Sequence, residues 1–216
     1  MKRVLLILAA VLSAVTAGAQ RPERYEKNLL GVRAGLELSY IRAAGEYVYG
    51  TTAPRMGFRL GVSDQVLLWH ALPLYVETGV HFASRGGRHA GISFRPMYFQ
   101  VPLLATWRFH PGKRLRIRPF AGVCYGVGIG GMARTDDGWS ELFGSDGILR
   151  RSDLGFRVGC EVSYRRICLA FGFDGGLLNI VRPGYDLRPE GQPTLFPSGI
   201  SSLKSRSLTL SVGYDF

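Results

Sequence analysis

The chain has 216 residues, 46% hydrophobic and 20% charged, with 29 glycines and 12% aromatics; this is too apolar for a disordered polymer and suits a single domain. Three cysteines, Cys124, Cys160 and Cys168, are too few for a disulfide framework or a Cys-rich zinc module. Lys and Arg total 27 against 16 Asp and Glu, a formal charge of +11, and 23 of the 27 are arginine, so nucleic acid has to be weighed as a partner.

The first elements bear on that question. Lys2 and Arg3 precede the apolar run from Val4 to Leu12, and Ala17-Gly18-Ala19 before Gln20 supplies the small residues of a cleavage site. Residues 1–19 therefore read as a Sec signal peptide. The run is too short to span a bilayer, which takes about 20 residues, and no cysteine follows the cleavage site to carry a lipid. Losing Lys2 and Arg3 lowers the charge from +11 by two, and export removes the protein from the nucleic acids of the cytoplasm, so nucleic acid is not expected as a partner. Residues 20–28 follow as a periplasmic N-terminal segment. The longest later uncharged stretch, 119–133, holds five glycines and is too short for a membrane helix.

From residue 29 to 216 the chain alternates with period two. Even positions from Leu30 to Tyr40 are apolar, while Gly31, Arg33, Gly35, Glu37 and Ser39 lie between them. The same pattern recurs over 154–164 and 208–216, and over 115–129 with the apolar residues at odd positions. Weaker versions cover 56–68, 74–84, 97–109 and 167–178, making eight expected strands and no competing amphipathic helix. GVRAGLELSY at 31–40 is echoed by GFRVGCEVSY at 155–164 and in part by GFRLG at 57–61, through hairpin duplication or a shared face constraint.

Connections alternate in length: 42–55, 85–96, 130–153 and 179–206 are long, whereas 69–73, 110–114 and 165–166 are short. An up-and-down barrel puts the two sets at opposite ends, and in an outer-membrane barrel the long set is extracellular. Alternation alone fits an oily-inside soluble barrel as well as an oily-outside membrane one. Glycines concentrated on the polar face favour that face as the crowded lumen. The expected fold is all-β, an eight-stranded antiparallel up-and-down transmembrane β-barrel with a polar, side-chain-filled lumen. Gly213, Tyr214 and Phe216 at the chain end match the C-terminal signal read by the outer-membrane barrel assembly machinery.

On GVRAGLELSY, GFRLG, YFQVPLLATWRF at 98–109, PFAGVCYG at 119–126, DLGFRVGCEV at 153–162 and LTLSVGYDF at 208–216, the chain resembles the PorT-like outer-membrane β-barrel proteins of Bacteroidetes-type bacteria. The resemblance covers essentially the whole mature chain and rests on barrel-structural motifs. Its founding member is tied to gliding and type IX secretion, a role not carried over to this chain.

Parity sends Arg33, Arg59, Arg116, Arg118 and Arg157 into the lumen with Glu37, Glu77, Glu161 and Asp174, an expected ion-pair cluster rather than an ion-selective pore. A two-residue turn at Arg165-Arg166 would set Arg157 opposite Asp174. Of the four histidines, His70 and His110 fall at short turns, His89 in a basic loop and His81 on the lumenal face. His81 with Ser84 and Glu77 is the only hydrolase-like constellation, and it faces away from lipid. Asp136, Asp137 and Asp146 lack calcium-loop spacing. No catalytic residue, cofactor or metal is expected. The function expected is non-catalytic, structural or surface-interacting through the long loops, with an accessory place in an envelope or secretion system left open. The expected partners are membrane lipid, lipopolysaccharide, the assembly machinery and an unidentified envelope protein. An outer-membrane enzyme acting on lipid or lipopolysaccharide is the alternative, and a soluble ligand carrier a third.

Overall fold

The computed structural model describes residues 27–45, 49–69, 72–89, 92–112, 114–135, 138–144, 147, 149–182 and 200–216. The signal peptide, His70, Asp136, Asp137 and Asp146 lie outside them, as does the side chain of His89. Eleven strands run through these residues in chain order: β1 Asn28–Gly45, β2 Tyr49–Thr51, β3 Ala53–Leu67, β4 Leu74–Ser84, β5 Gly87–His89, β6 Ile92–Trp107, β7 Leu115–Thr135, β8 Gly138–Glu141, β9 Ser152–Tyr164, β10 Ile167–Gly176 and β11 Ile200–Asp215. The eight long ones, β1, β3, β4, β6, β7, β9, β10 and β11, pair antiparallel in sequence, and β1 also pairs β11, from Gly31 opposite Asp215 onward. That last pairing closes the sheet into a barrel with no free long edge.

All eight expected strands are present, but several run further toward the long-loop end than alternation indicated: β1 continues to Gly45, β7 to Thr135, and β6 and β11 begin at Ile92 and Ile200. The short strands β2, β5 and β8 pair with these extensions, so much of the long connections is sheet. At the opposite end Tyr164 faces Ile167 across Arg165-Arg166, with Arg165 at φ +56°, the left-handed conformation a two-residue hairpin uses.

Leu36, Leu60, Val80, Val101, Val123, Val158, Leu169 and Leu210, one from each wall strand, stand exposed on the outer surface. The apolar core inside the ring sits at the long-loop end, where Ile41, Phe94, Tyr98, Leu142, Phe143, Leu149, Ile180 and Leu203 form a buried cluster. Leu142 and Phe143, just past β8, reach into the barrel mouth, and the Phe143 ring meets Tyr98 edge-on at 5.7 Å. Backbone bonds hold this plug: Leu142 N–H donates to Gly131, Leu149 N–H to Leu142 and Ile180 N–H to Leu203. Gly128 makes room for it, because a Cβ there would collide with the Phe143 ring.

Candidate functional site

Below the plug the lumen is filled with charge. Inward residues come from alternate positions of every wall strand, so a buried guanidinium must find its counter-ion across the barrel or along a neighbour. Asp174 on β10 takes three arginines. Arg157 on β9, directly opposite in register, donates through Nε at 2.8 Å, and Arg59 on β3 and Arg85 just after β4 reach the other carboxylate oxygen. Glu37 on β1, fully buried at 0% exposure, accepts from Arg85 Nε and the Ser207 hydroxyl, each at 2.6 Å, and its other oxygen forms an ion pair with Arg59 Nη2 at 3.1 Å.

A second lattice lies nearer the short turns. Arg33 donates to Glu161 at 2.9 Å and Asp215 at 2.7 Å, while Arg118 forms ion pairs with Glu161 and, at 2.9 Å, Asp215. Glu161, Cys168 and Asp215 bring donor atoms within 4.8 Å of one another, a spacing that would suit a metal ion. The Arg118 Nη2 group sits among them, 3.2 Å from Cys168 Sγ, so a guanidinium supplies the positive charge. Gly213 permits this arrangement, since a Cβ there would run into the Arg33 side chain.

The nine residues expected from parity are not all brought together. Arg33, Glu37, Arg59, Arg118, Arg157, Glu161 and Asp174 belong to the two lattices. Glu77 instead accepts from Gln65 Nε2 at 2.7 Å, and Arg116 stands at the short-turn rim, donating to the Arg165 carbonyl and 3.9 Å from Asp215. Two members were missed. Arg85 falls in the 85–96 connection, but it continues the inward odd parity of Glu77, His81 and Ala83 beyond the end of β4. Asp215 falls on the polar face of the closing strand by alternation, and its position beside β1 makes it a partner of Arg33.

His81 is engaged by Arg157, whose Nη1 lies 3.3 Å from Nδ1. A guanidinium only donates, which assigns Nδ1 as acceptor and the ring proton to Nε2. Ser84, His81 and Glu77 share no hydrogen bond among the described residues. A cavity of about 50 Å³ remains, lined by Arg33, Arg59, Glu77, His81, Arg157 and Glu161; that is room for a few waters at most. Cys124 and Cys168 are buried beside Arg157 and Arg118, while Cys160 is only partly buried, and all three are free thiols.

The outer surface is organised differently. Along β6 the outward residues from Met97 to Trp107 span about ten residue steps, which at about 3.3 Å each and a tilt of about 40° makes a band roughly 25 Å tall. Aromatics ring its short-turn end: Trp69 and Phe216 are each 62% exposed, Trp107 packs on Phe109 at 6.3 Å, and Tyr214 packs on Phe216 at 5.4 Å. Phe216 is tied to the first strand, its N–H donating to the Leu30 carbonyl.

No family model matches the chain, and no curated protein does. Among solved structures, Neisserial surface protein A aligns with a TM-score of 0.49 at 15% identity, over 87% of this chain and 97% of that one. The major outer membrane protein from Thermus thermophilus aligns at 0.46 and 17% identity, over 88% and 100%. Ail, the attachment invasion locus protein of Yersinia pestis, aligns at 0.44 and 13%, again over 88% and 100%. Likeness at this level extends no further than the shape of the fold, and the fold itself is an all-β, closed ring of eight antiparallel strands.

Proposed function

We propose that this chain is an integral outer-membrane barrel without catalytic activity, whose lumen is a structural strut and whose working surface is the long-loop end. The observation that carries this reading is the inversion of ordinary solubility: apolar side chains cover the outside of all eight wall strands while arginines and carboxylates are sealed inside. A surface this apolar needs lipid around it. Among the described residues the two ion-pair lattices and the plug above them fill much of the lumen, which favours support over transport. Tyr214 and Phe216, outward on the closing strand, serve together with the inward Gly213 as the signal for the barrel assembly machinery. The finer reading, a PorT-like protein accessory to an envelope or secretion system, rests on the sequence motifs.

Cysteine labelling on intact cells tests the orientation. Lys204→Cys, exposed at the long-loop end, should react with a membrane-impermeant maleimide, and Arg114→Cys, exposed at the short-turn end, should react only after permeabilisation. The reverse pattern overturns the topology. Deleting Phe216 should sharply lower the yield of heat-modifiable membrane protein, and an unchanged yield removes the assembly signal from the reading.

A further inference from the structure

Outside the lumen, the arginines at the long-loop end form a second organised group. Register places Arg88 on β5 opposite Ser93 on β6, Ser93 opposite Arg134 on β7, and Arg134 opposite Trp139 on β8. Directly opposed residues project from the same side of a sheet, so one rung across four strands presents two guanidiniums, a hydroxyl and an indole together. Arg95, two residues from Ser93 on β6, faces the same way, its rung partner Met132 being 53% exposed. The next outward residue of β6 after Arg95 is the exposed Met97, so the outer surface passes from apolar to cationic within a single step of the pleat.

Among the described residues no carboxylate pairs with Arg88, Arg95 or Arg134; Glu141, opposite Met132, is the acidic residue nearest in register. Arg95 Nε and Ser93 Oγ are shielded from water and have no hydrogen-bond partner among the described residues. Like charges on neighbouring strands repel, and shielded donors without acceptors are costly. A doubly or triply accepting anion relieves both, and forked guanidiniums suit phosphate. The Arg134 guanidinium lies 5.7 Å from the Trp139 ring, whose exposed face fits the interfacial belt where headgroups reside.

We propose that Arg88, Arg95 and Arg134, with Ser93 between them and Trp139 beside them, bind the phosphate of a phosphorylated lipid in the outer leaflet. The methionines next to the arginines, Met97 and Met132, set the lipid's acyl chains against the apolar band and distinguish this site from one for free phosphate. The inference rests on the membrane reading above and deepens it.

The test is native mass spectrometry of the refolded barrel in neutral detergent, titrated with a diphosphorylated lipid A, with the same lipid after dephosphorylation, and with inorganic phosphate as competitor. Wild type should retain the phosphorylated lipid. Each single Arg→Gln change at 88, 95 or 134 should weaken retention roughly fivefold and the triple variant roughly a hundredfold, the attraction of one surface arginine for anionic lipid acting three times over. Lys204→Gln should leave it unchanged. Equal retention by the triple variant or of the dephosphorylated lipid overturns the site, and competition by millimolar inorganic phosphate overturns its lipid specificity. Heat-modifiability is read for every variant; should the triple fail to fold, the three single variants decide. A wild-type barrel that stays soluble without detergent refutes the membrane reading, whereas an inserted barrel indifferent to these arginines refutes only the site.

Discussion

At the short-turn end of the barrel charge lies inside, in Arg33, Arg118, Glu161 and Asp215, and aromatic side chains lie outside; at the long-loop end the arrangement is reversed, with Leu142, Phe143 and Ile180 inside and Arg88, Arg95 and Arg134 outside. On the proposed membrane reading, one continuous sheet is thus built for two solvents. Where the outside is lipid, polar groups are driven inward and must pair; where the outside is headgroup and water, the ordinary hydrophobic effect returns and the interior turns oily. The change of phase is visible on β7. Tyr98 pairs with Gly128 but Met97 with Gly130, leaving Ile129 as an extra residue in a bulge. Before it, even positions such as Cys124 and Gly128 point inward; after it, Ala133 is buried and Met132 and Arg134 face out.

Deleting Ile129 would therefore be the most severe attack on this division. Without the extra residue the parity of 130–135 inverts, Met132 and Arg134 turn into the mouth, and the plug loses its seat. We expect retention of the membrane-embedded band with rapid protease cleavage within 138–149, and an intact plug in that deletion would show that the bulge does not set the phase. Asp174→Ala acts on the other end of the comparison. It leaves Arg59, Arg85 and Arg157 short of a counter-ion and should cost about 3 to 5 kcal/mol in denaturant unfolding from detergent. Arg157→Ala should cost less, because Asp174 keeps two other arginines, and the double variant should be less damaged than the sum of the two. Phe143→Ala is the smallest of the three, about 3 kcal/mol at the lower end for a truncated buried phenylalanine. The exchange of backbone amides near Leu149 and Ile180 should report it, while those of β10 stay protected.

The wall of the barrel was legible because alternation repeats on every strand, and even the Arg157–Asp174 opposition follows from the two-residue turn at Arg165-Arg166. The partners across the lumen were not. Which arginine meets which carboxylate depends on the stagger of the closed sheet, and a period of two carries no information about stagger. Parity carried one residue past Ser84 would have found Arg85, and the closure of β11 on β1 would have drawn in Asp215. The plug escaped for another reason: Leu142 and Phe143 are an apolar pair in an irregular segment, where no period marks which way a side chain turns.

Asp174 touches arginines from β3, from the end of β4 and from β9, while Glu37 links β1 to two of the same arginines. Mechanically these contacts are spokes: they brace the ring across its diameter as well as around its circumference. A barrel so braced resists flattening into an ellipse and changes its height little when the surrounding bilayer thickens or thins. On the proposed membrane reading, mismatch between this barrel and a bilayer is then absorbed by the lipid next to it, which the cylinder pulls toward its own thickness.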